Sequence, residues 1–167
     1  MTMKVDMKPL RVYVDTSVIG GYYDEEFAVA SRRVIEAARQ GRLKLLVSDA
    51  VISELVGAPP AVRAVYYGLP VTAYESVPVD GIVTVLRDAY IEAGVVGQDS
   101  LYDATHVAAA TVARADAICS WNFKHIARLD KIKAYNEVNQ RLGYGVLVIV
   151  TPQGVQIDEP DQGQEGV

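Results

Sequence analysis

Four polar residues stand where an apolar chain has little use for them. Asp15 ends the run R-V-Y-V, Glu54 interrupts V-I-S-E-L-V, Asp103 lies within L-Y-D-A-T-H-V-A-A-A, and Asn122 follows A-I-C-S-W. Asp99 precedes Asp103 by four residues, so on a helix the two share a face. Most have an ordinary explanation. Asp15, before Thr16 and Ser17, can cap a helix; Glu54 can be solvated; Asp99 suits the N-cap of the helix that follows it. Asp103 resists this, because Leu101, Ala104, Val107, Ala108 and Ala109 crowd around it and a charge in so apolar a segment needs a partner. If Asp15, Glu54 and Asp103 meet, each pair about 5 Å apart repels by about 3 kcal/mol at an effective dielectric near 20. Three such groups demand protonation or a cation. With no Cys cluster and no His pair, only oxygen ligands are on offer, which favours Mg²⁺ or Mn²⁺ over zinc. Such an ion clamps phosphate oxygens and helps generate a hydroxide for attack on phosphorus.

The elements that must position these residues can be read from apolar spacing. Short strands are expected at Arg11 to Val14, Leu43 to Val47, Val71 to Val77, Ala117 to Trp121 and Val146 to Val150, with Val155 to Ile157 returning as a hairpin. Helical spacing covers Glu25 to Gln40, a helix after Ser48-Asp49 through Leu55, turns from Ala61 to Tyr67, Asp80 to Ala93 with Pro78 at its start, the Ala-rich Gln98 to Ala113, and Ile132 to Leu142. Strands alternating with helices predict a single three-layer α/β/α domain around a mostly parallel sheet. Ligands of such sheets bind beyond the carboxyl ends of the strands, where Asp15 and Asn122 both fall. Glu54 and Asp103 can converge there from neighbouring helices. The domain is expected to span residues 1–157, with the Pro-, Gly- and acid-rich residues 158–167 a disordered tail.

Composition narrows the class. The 167 residues are half apolar and carry a net charge of −5, which argues against a chain that coats nucleic acid nonspecifically. A local basic patch beside an acidic pocket remains compatible. Two basic groups stand out: Arg32, Arg33, Arg39, Arg42 and Lys44, and then Lys124, Arg128, Lys131 and Lys133. Either can position phosphates or form a solvated helix face. Cys119 is the one cysteine, so no internal disulfide is expected, and its apolar neighbours suit a core position. No secretory h-region opens the chain and no apolar run reaches the length of a membrane span; the expected compartment is the cytoplasm, with no membrane partner.

The motifs as a set resemble the PIN-domain family of metal-dependent ribonucleases, which includes the toxin halves of VapBC-type toxin–antitoxin modules. V-Y-V-D-T-S-V-I-G-G is similar to the family's opening strand, V-S-D-A-V-I-S-E-L to its second motif, Y-D-A-T-H-V-A-A-A to its third, and A-I-C-S-W-N-F-K-H-I to its fourth. They run in order over residues 11 to 150. The resemblance implies a Mg²⁺- or Mn²⁺-dependent endoribonuclease in which Asp15, Glu54 and Asp103 hold the ion and activate a water for in-line attack on an RNA phosphodiester. Thr16 or Ser17 would fix a ligand water or a phosphate, and His106 would hydrogen-bond near the site. Lys124 and His125 would touch substrate, although His125 equally suits a surface helix cap. Tyr22, Tyr23 and Trp121 could stack bases, with Trp121 also fitting the core. Many family members carry an Asp where this chain has Asn122, which removes one charge and leaves an amide oxygen that can orient a water. Asp99 could replace the missing charge.

Implied partners are RNA, a small antitoxin protein and a second copy of the chain as a homodimer. A different class of function, a non-catalytic module binding RNA or a protein, is motivated by Asn122 and opposed by the three retained acids. A phosphoryl-transfer enzyme of the haloacid-dehalogenase kind would place a second Asp two residues after the first; here Ser17 occupies that position.

Overall fold

The computed structural model describes residues 8–157; the proposed tail at 158–167 lies outside the described residues. Strand β1 (Leu10–Val14) is the centre of a five-stranded sheet. Its β-branched and aromatic residues are buried on both faces, as a central parallel strand requires. After α1 (Thr16–Gly20) and α2 (Ala28–Arg39), the chain enters β2 (Leu43–Ser48), paired parallel to β1 with Val12 opposite Leu45. Next come α3 (Asp49–Leu55), α4 (Pro60–Tyr67), β3 (Tyr74–Val77) and α5 (Gly81–Glu92). Helix α6 (Leu101–Val112) leads to β4 (Ala117–Cys119), and α7 (Leu129–Arg141) to β5 (Ile149–Val150).

The sheet order is β3-β2-β1-β4-β5, all parallel. From β1 the chain steps outward twice on one side, crosses back to β4, and steps outward on the other. Right-handed crossovers place the two sets of connecting helices on opposite faces. Accordingly α1 packs on α2 and α4, while α5 packs on α6 and α7, giving the expected three-layer α/β/α fold. The described residues share one hydrophobic cluster. The connections diverge between β1 and β4, and a sheet of this kind opens its binding crevice at that point, beyond the strands' carboxyl ends.

Several boundaries differ from the sequence expectation for identifiable reasons. The helix expected from Glu25 begins at Ala28, because a turn comes first: Asp24 accepts the Phe27 and Ala28 amides with its carbonyl and the Glu26 amide with its side chain. Pro78 does not open α5; Asp80 caps it by accepting the Val83 amide. Residues 71–73 form a single 3₁₀ turn before β3. The last strand is short because Asn136 takes both backbone groups of Leu147 with its side-chain amide. The hairpin expected at Val155 does not form; the Arg33 guanidinium instead holds the Val155 carbonyl at 2.6 Å. Cys119 is a buried core residue, as expected, and burial raises its thiol well above the ordinary value. Among the described residues no helix is long and apolar enough to cross a membrane.

Candidate functional site

Asp15 is both things its position suggested. It is the N-cap of α1, accepting the Ser17 amide at 3.1 Å, and it lies at the carboxyl end of β1 beside the end of β4. Its Oδ1 also accepts the Ser17 hydroxyl at 2.5 Å, and its Oδ2 accepts the Ser120 hydroxyl at 2.5 Å. The side chain is buried, and burial raises its carboxyl above the ordinary value despite the lowering effects of His106, Ser120 and Ser17. A cap alone does not need this burial, since N-caps work at the surface. Next to it, the Thr16 hydroxyl is buried with no hydrogen-bond partner.

Asp103 sits in the first turn of α6, half-buried. The Asn122 amide donates to its Oδ1 at 3.0 Å. Burial raises this carboxyl too; His125 and His106 oppose the rise, while the charges of Asp15 and Glu54 add to it. Asp103 therefore feels both of the other acids electrostatically across this edge. Glu54 turns onto His106, whose Nε2 lies 2.5 Å from Oε1.

His106 belongs to a buried chain. Its Nδ1 is 2.7 Å from the Tyr13 hydroxyl, which is 2.6 Å from the Ser48 hydroxyl. Ser48 caps α3, the helix that carries Glu54, through the Val51 amide. One proton arrangement satisfies every member. Ser48 donates to Tyr13, Tyr13 donates to Nδ1, and a neutral ring donates from Nε2 to the Glu54 carboxylate. Sequence reasoning placed His106 near the site but missed Tyr13, Ser48 and Ser120. Tyr13 and Ser120 lie within strand-like runs that read as core, and Ser48 carried only the signal of a helix cap.

Asn122 does not present its amide oxygen to a water. That oxygen accepts the Lys124 and His125 amides at 3.1 and 2.9 Å, closing the turn after β4. Its role at the site is through the NH₂ group on Asp103. Asp99 is exposed on a 3₁₀ turn before α6. It forms no cap hydrogen bond, and none joins it to the other acids. Lys124 is exposed, and His125 is half-buried with its carbonyl accepting from Tyr135. Trp121 is core, stacked on Phe27 at 4.3 Å with its indole N–H on Ser31, while Tyr23 is exposed.

Much of the first basic group is committed elsewhere. Arg33, Arg39 and Lys44 hold the backbone carbonyls of Val155, Gly68 and Thr72. Arg42 and Lys44, at the start of β2, belong to the opposite edge of the sheet from Asp15. Of the second group, Lys131 holds the Val95 carbonyl and Arg128 pairs with Asp130.

The donor set fits a hard cation in its chemistry. It is all oxygen, the charges of Asp15 and Glu54 raise the proton affinity of Asp103, and the second oxygen of Asp103 has no partner among the described residues. As the side chains stand, however, no group of three Asp, Glu, His or Cys among the described residues is gathered closely enough to hold an ion. Glu54 is engaged by His106 instead. No protein-family model and no curated protein matches this chain.

Proposed function

We propose that this chain is a Mg²⁺- or Mn²⁺-dependent endoribonuclease of the PIN kind, acting as the toxin of a type II toxin–antitoxin module. The observation that carries the reading is the burial of Asp15 at the carboxyl end of β1, within electrostatic range of Asp103. A buried carboxylate with a raised proton affinity costs stability, and proteins keep such groups mainly at functional sites. Asp15, Asp103 and Glu54 would hold the ion. When bound, it supplies charge for the phosphate oxygens and lowers the pKa of an attacking water. Ser17 and Ser120 fix the direction of the Asp15 carboxylate, Asn122 that of Asp103, and His106 that of Glu54. Lys124, exposed after β4, is available to a substrate phosphate. In this reading a small antitoxin covers the acidic crevice and the chain works as a homodimer in the cytoplasm.

The engagement of Glu54 by His106 and of Asp103 by Asn122 favours a second reading, a binding module that has lost its chemistry. Purified protein incubated with RNA in Mg²⁺, Mn²⁺ or EDTA separates the two. Cleavage that needs the ion and disappears in Asp15→Asn and Asp103→Asn supports the nuclease. Absence of both cleavage and Mn²⁺ binding by calorimetry leaves the binding module.

A further inference from the structure

A cleft of about 250 Å³ opens between the start of α3, the start of α6 and the middle of α5. Its lining residues are chain neighbours of the proposed site: Ser53 precedes Glu54, Tyr102 precedes Asp103, and Thr105 precedes His106. The cleft and the acids Glu54 and Asp103 are thus carried by the same two helices, α3 and α6, on neighbouring faces. The cleft is smaller than the pockets that take drug-sized ligands and suits a single planar base. Its polar groups converge from three elements. Arg87 on α5 uses two of its five N–H groups, both on Asp88 at 3.0 Å. The guanidinium is mostly covered while Asp88 is largely exposed, so this is a weak surface pair. Asp49 spends one carboxylate oxygen on the Val79 amide and leaves the other open. The Ser53 hydroxyl is exposed, and the Tyr102 ring is more than half exposed at the rim.

Resting on the nuclease reading, we infer that this cleft receives an unpaired guanine base of the strand whose phosphate an ion on the acids would receive. A guanidinium is the usual partner of the guanine O6 and N7 acceptors. A carboxylate accepts from the N1–H and N2–H₂ groups. Guanine alone among the four bases carries both sets, and an exposed tyrosine supplies a stacking face. The site therefore recognises single-stranded RNA by one base.

The test uses fluorescently labelled eight-nucleotide single strands, all uridine or with one central guanosine, bound to the wild-type chain in EDTA and followed by anisotropy. The guanosine is expected to tighten binding roughly fivefold to a hundredfold. Inosine, lacking the N2 amine, and 7-deazaguanosine, lacking N7, each lose part of that gain. Arg87→Gln reduces the guanosine preference to within about twofold, and Tyr102→Ala, which removes a stacking face open to any base, weakens binding of both strands. Tyr102 is exposed while Arg87 is mostly covered, so Tyr102→Ala serves if Arg87→Gln fails to fold. No guanosine preference in the wild type, a preference unchanged in Arg87→Gln, binding unchanged in Tyr102→Ala, or no binding of any strand overturns the inference. Because the readout needs neither metal nor cleavage, it is separable from the nuclease reading. Metal-dependent cleavage without base preference refutes the cleft alone. A guanosine preference without cleavage refutes the nuclease alone.

Discussion

Replacing Asp15 with Asn should stabilise the metal-free protein while removing its chemistry. The amide keeps an oxygen for the Ser17 amide and hydroxyl, and its NH₂ can face the Ser120 hydroxyl, so the cap and its neighbours survive. What disappears is a buried charge. The effective cost of burying an ion is several kcal/mol, and charge-assisted bonds return roughly 1.5–3 kcal/mol each. The balance leaves the Asp15 carboxyl raised by burial, so the neutral isostere should gain on the order of 1–2 kcal/mol at neutral pH, or roughly 2–8 °C in a chain of this length. The pH dependence follows from the same shift. A raised carboxyl means that the folded state keeps a proton which the unfolded chain releases near pH 3.8. The associated stability is full below that pH and is lost as pH rises through the folded-state value. Wild type and Asp15→Asn should therefore unfold alike near pH 3.5 and diverge toward pH 7, the variant being the more stable. Adding Mn²⁺ should reverse the order. At a hundredfold excess over its dissociation constant, an ion adds about 2.7 kcal/mol to the wild type and little to the variant. Urea melts at four pH values, with and without Mn²⁺, measure all of this. An Asn variant less stable than wild type at pH 7, with no response to Mn²⁺ in either protein, would show that Asp15 is only a cap and would refute the reasoning.

Tyr13→Phe removes the hydroxyl between His106 and Ser48, leaving the ring nitrogen unsatisfied; it should cost about 1–3 kcal/mol and weaken Mn²⁺ binding by calorimetry roughly 10- to 100-fold. Equal affinity would exclude the chain as a support for Glu54. Asn122→Asp keeps the turn's acceptor but replaces the donor on Asp103 with a charge, so it should destabilise the metal-free protein at neutral pH and bind Mn²⁺ more tightly. Weaker binding would contradict the placement of Asn122. Gly21→Ala puts a Cβ 2.5 Å from the Ser31 hydroxyl and 3.0 Å from the Trp121 indole nitrogen; a loss of about 1–3 kcal/mol with a shift in tryptophan emission is expected, and an unchanged spectrum would count against it. Burial raises Tyr13, Tyr90 and Tyr135 above the ordinary phenol value of 10.0. Their stability is full below about pH 10 and is lost above it, at about 1.4 kcal/mol per pH unit for each; Tyr90→Phe should flatten the alkaline decline seen in urea melts.

The sheet and its helices were legible because strand burial and helix amphipathicity are written into residue spacing. V-Y-V, L-K-L-L-V and A-I-C declare buried parallel strands, and Ser48 declares a helix start. What spacing cannot show is where a long side chain will spend its hydrogen bonds. Arg33 and Asn136 each override a strand by capturing backbone groups from a distant segment. The same limit applied at the site. The placement of Asp15 and Asn122 at one sheet edge follows from the parallel topology alone. The orientation of the Asn122 amide is decided by two backbone N–H groups of its own turn, and that of Glu54 by a histidine 52 residues away.

Those two orientations bear on how such a site can work. An Asp at position 122 would add a fourth negative charge beside Asp103, whose carboxyl is already raised by burial and by the charges of Asp15 and Glu54. Asn keeps the turn and donates to Asp103 instead, so one carboxylate is fixed without further repulsion. His106 does the same for Glu54, and Ser17 with Ser120 for Asp15. Asp15 and Asp103 are thus held by neutral hydroxyl and amide donors, and Glu54 by an imidazole rather than by Lys or Arg. Neutral donors lower the cost of gathering charge less than a salt bridge does, and they leave the electrostatic demand for a counter-ion in place. A pocket whose acids were satisfied by Lys or Arg would be more stable empty and would have less to gain from Mg²⁺ or Mn²⁺. The choice of donors therefore favours a site that is weakly stable alone and strengthened by an ion, which is the behaviour the Asp15→Asn melts would detect.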